Sequence, residues 1–152
     1  MNMIPVITAV AFALPVYAQG PPVNEPKSES DLGVEWTDTL EAVRAKYPDG
    51  EGATAGNIGE WKIRNSRQIF DIDRREQDFI AFKFFGPTLG AVTISFPDCD
   101  SLAAALATQV KRWPESLRGF MGPVRLGTWN GRDVMAAALE TRDGCLMNMG
   151  LD

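Results

Sequence analysis

Two dipeptides constrain this chain more than any other feature. Asn130-Gly131 stands between Val124–Trp129 and Arg132–Thr141, and Asp143-Gly144 stands between that second run and Cys145–Leu151. Asn-Gly and Asp-Gly are the preferred centres of type I′ turns, because both central residues there need a positive φ. Two such pairs separated by an extended run predict a three-stranded antiparallel meander, which commits the C-terminal third to sheet.

Upstream, the apolar pattern changes period. Ile63 and Trp61 alternate with Lys62 and Arg64, and Gln68, Phe70 and Ile72 alternate with Ile69, Asp71 and Asp73. Ile80, Phe82 and Phe84 alternate with Phe79, Ala81, Lys83 and Phe85, and Val92, Ile94 and Phe96 with Ala91, Thr93 and Ser95. Period-two patterning with one polar phase predicts antiparallel strands packed on one side only. Asn65-Ser66-Arg67 and Gly86-Pro87 read as turns between them. Gly50, Gly52, Gly56 and Gly59 mark 50–59 as a loop.

Two stretches carry helical spacing instead. Asp38 and Glu41 stand as a capping box before Leu40, Val43 and Tyr47, and Pro48-Asp49-Gly50 stops the run, so a helix is expected over about 38–47. Asp98, Asp100 or Ser101 caps a second, whose stripe is Leu102, Leu106, Gln109, Val110 and Trp113. Lys111 and Arg112 complement its dipole and Pro114 ends it. The expected class is therefore α+β, two helices packed on an antiparallel sheet in the order α-β-β-β-β-α-β-β-β. Asp38-Thr39-Leu40-Glu41-Ala42 and Asp100-Ser101-Leu102-Ala103-Ala104 echo each other, which fits a duplicated helix-plus-sheet unit. Capping chemistry alone writes similar words, so both readings stay open.

The first 18 residues contain no Asp, Glu, Lys or Arg, and the apolar run from Ile4 to Val16 is followed by Tyr17-Ala18, with small residues at the −3 and −1 positions. This is a cleavable signal peptide in length and in cleavage site, without a basic n-region. About 20 apolar residues are needed to span a bilayer, and Pro5 and Pro15 interrupt this run, so no stable anchor is expected after cleavage. Residues 19–31 are rich in Pro, Ser, Gly and charge and read as a flexible leader. Residues 32–152 then form a single α+β domain, periplasmic or secreted.

Cys99 and Cys145 are the two cysteines. An even count in an exported chain predicts a disulfide. Closing a loop of about 46 residues stabilises by roughly 4 kcal/mol in the chain-entropy treatment.

The chain has no histidine and a formal charge of −5. Histidine-based triads, Cys-His pairs and His-ligated metals are thereby excluded. G-x-S-x-G, P-loop and dinucleotide fingerprints do not occur, so no catalytic residue, metal or cofactor is assigned. The basic residues are scattered among acids, which argues against nucleic acid. An acidic surface serves solubility or a basic protein partner.

Carboxylate pairs are the remaining chemistry. Asp98 and Asp100 flank Cys99, and Asp71 and Asp73 would share a strand face; the plainer readings are helix capping and a solvated surface. Among aromatics, Trp61 and Trp113 continue apolar stripes and read as core, as do Met135, Met147 and Met149. Trp129 directly precedes the Asn130-Gly131 turn, on the side of Arg125 and Gly127 and opposite Val124 and Leu126. With Arg125 and Arg132 it forms the candidate binding site, since Trp and Arg dominate interface hot spots. The expected function is a non-catalytic protein-binding or inhibitor-type module with a partner in the envelope. The alternative is a small carboxylate-dependent hydrolase acting on envelope polysaccharide.

Overall fold

The computed structural model describes residues 32–55, 58–65, 67–107 and 118–152. The signal peptide and leader expected over 1–31 lie outside these residues, as do Gln109, Val110, Lys111, Arg112 and Trp113 of the second helical stripe.

The first helix, α1, spans Leu40–Lys46. Its cap is Thr39, whose hydroxyl accepts from the Ala42 amide. This corrects the expected capping box by one residue. Asp38 is used differently: its carboxylate accepts from the Glu35 amide at 2.9 Å and from Lys46 Nζ at 2.6 Å. Val43 is buried, and Tyr47 stacks on Phe82 with ring centroids 5.7 Å apart.

Seven strands form one antiparallel sheet: β1 (Glu51–Ala55), β2 (Ile58–Arg64), β3 (Phe79–Phe84), β4 (Leu89–Phe96), β5 (Phe120–Trp129), β6 (Arg132–Thr141) and β7 (Gly144–Leu151). Their spatial order is β1-β2-β3-β4-β7-β6-β5. The second helix, α2 (Cys99–Ala107), follows β4. The class is α+β as expected, but the protein is mostly sheet.

The expected order of elements holds in its letters only because two errors cancel. The strand expected over 68–73 does not form. Ile69 and Ile72 make a single bridge around a tight turn in which Phe70 and Asp71 both adopt positive φ. Conversely, the expected loop 50–59 contains β1 and the start of β2. Its glycines mark a close approach: a Cβ on Gly52 would come within 2.5 Å of the Trp61 ring, its cross-strand partner.

Register divides the strands into two faces. Paired positions share a face, so Trp61, Phe82, Val92, Met149 and Ala136 stand together, as do Ile63, Ile80, Ile94, Met147 and Ala138. Both helices lie on this face. Leu40 of α1 approaches Gly59, and Leu102, Ala103 and Leu106 of α2 join Met147 and Met149 in the core. Setting β1 aside, β2-β3-β4 and β5-β6-β7 meet at the central β4–β7 pair, each triplet preceded by a helix. A duplicated helix-plus-sheet unit would produce this arrangement.

Cys99 and Cys145 form a disulfide, with Cα atoms 4.8 Å apart. It pins the start of α2 to the start of β7. Both cysteines are buried on the covered face, where Cys145 pairs with Phe96.

Candidate functional site

The two hairpin turns decide where the expected site residues fall. Asn130 and Gly131 both take positive φ, at 48° and 78°, as a type I′ turn requires. The second turn is displaced by one residue. Arg142-Asp143 forms the loop, and Gly144 already pairs with Thr141 at φ 147°. Glycine is required there, because a Cβ would lie 2.3 Å from the Phe96 carbonyl oxygen.

Between these turns β5 is irregular. Its register shifts between Met121 and Val124 and again between Arg125 and Gly127. The second bulge inserts Leu126, which is buried, and reverses the phase of everything after it. Arg125 pairs with Met135 on the uncovered face, whereas Trp129 pairs with Arg132 on the helix side and packs against the core. Simple alternation had placed Trp129 and Arg125 together; the bulge separates them. Arg125 Nε donates to Asp133 Oδ1 at 2.6 Å, and Arg132 Nε donates to the Asp152 carbonyl at 3.1 Å. Trp129 and Arg132 are therefore neighbours at the hairpin end, and Arg125 stands apart. Met135, expected in the core, also lies on the uncovered face, while Met147 and Met149 are fully buried.

The uncovered face is the larger feature. Its centre is built of shorter side chains: Ala81, Thr93, Asn148 and Ala137 follow Lys62 in one row, and Ala91 and Gly150 stand between Lys83 and Met135 in the next. Thr93 Oγ1 donates to Asn148 Oδ1 at 2.9 Å across the central strand pair. Large apolar residues stand around this centre. Ile58, Phe85, Phe120 and Leu139 are exposed by 56, 62, 66 and 45 % respectively. Phe120 pairs with Leu139, Leu139 with Leu146, and Leu146 with Ser95. Phe79 stands next, its amide donating to Ser95 Oγ at 2.7 Å, and exposed Arg64 of β2 pairs with it at the row's end. The sequence did carry a sign of it: Phe79 and Phe85 occupy the phase of β3 otherwise given to Ala81 and Lys83.

The row borders a cleft of about 1000 Å³ at the sheet end, lined by Phe79, Ser95 and Leu146 and by charged groups from the β6–β7 turn and α2. The segment before β3 supports it. Arg74 is buried, its Nε donating to the Ser95 carbonyl at 2.9 Å and Nη2 to the Phe79 carbonyl at 2.8 Å. Desolvation pushes this guanidinium down to about 10, so it stays cationic at neutral pH. Arg75 Nη2 donates to Asp78 Oδ1 at 2.9 Å and to the Asp143 carbonyl at 2.8 Å, tying the segment to the β6–β7 turn. Burial raises the Asp78 carboxyl, but the bonds from Arg75 and the charges of Arg75 and Arg74 outweigh it. The group is held below its ordinary range.

The candidate carboxylates have specific partners. Asp98 caps α2, its Oδ1 accepting from the Ser101 amide at 2.6 Å and its Oδ2 from the Ser101 hydroxyl at 2.9 Å. Asp100 pairs with Arg118 at 2.8 Å. Asp71 lies in the tight turn and Asp73 accepts from Gln68 Nε2, so they do not share a strand face. Among the described residues no group of three or more acidic or cysteine side chains is arranged to hold a metal ion. No described helix is long and apolar enough to cross a membrane. No protein-family model matches the chain, and neither a curated protein nor a solved structure matches it.

Proposed function

We propose that this chain is an exported, non-catalytic protein-binding module of the periplasm or extracellular space, of the inhibitor or adaptor kind, that engages its partner through the uncovered face of its sheet. One observation carries the reading. The four exposed large hydrophobic side chains among the described residues all belong to the strands and strand ends that bound this face, while both helices cover the other. Exposed large apolar side chains gathered on one face, in two groups at its opposite corners, are what a protein-binding surface offers a partner. The buried disulfide supports an oxidising compartment. The carboxylates weighed for a hydrolase serve instead as helix cap, ion-pair partner and turn residues.

The test is capture from envelope extract by the exported chain beside its Phe120→Ser variant. Recovery of one stoichiometric partner by the wild type and its loss with the variant is expected. Equal recovery by both, or turnover of glycans without a partner, would contradict the reading.

A further inference from the structure

The row Phe79, Ser95, Leu146, Leu139 and Phe120 crosses five adjacent strands, from β3 to β5. At about 4.8 Å per strand it is roughly 19 Å long, a span suited to a short extended segment carrying a few apolar side chains. Along one flank lies the cleft. Asp78, Asp98, Asp100, Glu140 and Asp143 line it, against Arg75, Arg118 and Arg142. Five carboxylates to three guanidiniums leave this flank negative, in a chain whose whole formal charge is −5. At the far end of the row exposed Arg64 pairs with Phe79 and Lys62 sits over the Phe79 ring at 4.2 Å, so that end is cationic and the acidic flank lies toward the β6–β7 turn.

Charge chooses among the occupants of such a row. A second copy would bring its own −5 against this one, and an anionic lipid surface would be repelled in the same way. A partner segment combining apolar side chains with Lys or Arg meets both features at once: its apolar groups cover the row and its cations face the cleft. Complementary potential of this kind speeds encounter and fixes register. We infer that the uncovered face takes a basic, amphipathic segment of a partner protein, laid across β3–β4–β7–β6–β5 with its cationic side chains toward the β6–β7 turn. The inference rests on the binding reading above and adds the chemistry of the partner.

The experiment follows backbone amide shifts of the full chain during titration with a short peptide alternating Lys and Leu. Parallel titrations use the same peptide with Glu in place of Lys, and phosphatidylglycerol vesicles. The basic peptide is expected to shift Phe79, Phe120, Leu139, Leu146 and Arg142 to Gly144, with neither the acidic peptide nor the vesicles doing so. Glu140→Gln with Asp143→Asn is expected to weaken the basic peptide roughly tenfold and to flatten its salt dependence. Glutamine keeps the oxygen that accepts from the Gly119 amide, so the fold is unchanged. Equal binding of both peptides on the row would overturn the charge inference and leave the binding reading standing. Shifts confined to the helix side, no binding of the basic peptide, vesicle binding, or self-association through the row would each overturn the inference.

Discussion

The same strands build two faces with opposite economies. On the covered face, Ile80, Phe82, Ile94, Phe96, Met147 and Met149 lose all contact with water beneath α1 and α2. One residue along each strand, on the uncovered face, the centre is Ala81, Ala91, Thr93 and Ala137, and the large apolar groups stand at the margins. The covered face fills volume and carries stability, because buried apolar area and close packing are what folding gains. The uncovered face has its largest side chains where they add little to folding and remain available to another surface. A side chain's contribution should therefore depend on its phase in the strand more than on its size.

The largest effect tests that statement. Phe82→Ala should lower the unfolding free energy by about 3–5 kcal/mol, while Phe120→Ala, an equal truncation on the other face, should cost less than about 0.5 kcal/mol. Urea denaturation of the two variants gives the comparison, and similar losses would break it. Next comes the staple holding α2 against β7. Replacing Cys99 and Cys145 together by Ser should cost up to about 4 kcal/mol in the chain-entropy treatment. A free-thiol count of two in the native protein would remove this contribution. A smaller effect belongs to the cap of the same helix: Asp98→Ala should cost about 1 kcal/mol, read from the same denaturation curves.

The segment before β3 links the two faces at the sheet end and adds a pH dependence. Asp78 is depressed below its ordinary value of 3.8, so its contribution is complete above that value and is lost as pH falls through the lower folded value. Thermal stability should fall on acidification below about pH 4. Asp78→Asn should show a lower plateau at neutral pH and a flatter acid limb. A steeper limb in the variant would contradict the assignment.

Where local chemistry decides, the structure was readable in the residues. Asn130-Gly131 forms its turn because both φ values are set within the dipeptide. The disulfide followed from the even cysteine count and the expected compartment. The Leu40, Val43 and Tyr47 stripe packs as its spacing implies. Where distant contacts decide, it was not. Gly50 and Gly52 resemble loop residues but make room for Trp61. Gly144 belongs to a strand, because the Phe96 carbonyl occupies the place of its Cβ. The alternation of 68–73 is that of a strand, yet Phe70 and Asp71 at positive φ fold it into a turn that buries Ile69 and Ile72. Of the candidate site, Trp129 and Arg132 do meet across a hairpin. The Leu126 bulge, which no composition signals, sends Arg125 to the other face. The apolar row was the harder feature, since its members come from five strands and share a line only through register.

The central claim is that the uncovered face is open in the folded protein, and the unfolding free energy of Leu139→Asp tests it most directly. Leu139 sits mid-row between Leu146 and Phe120. A charge placed there meets water if the face is open and meets a packed interior if the face is sealed. With an open face, the value stays within about 0.5 kcal/mol of the wild type. A loss of several kcal/mol would mean that the face is closed within the folded chain and would contradict the account.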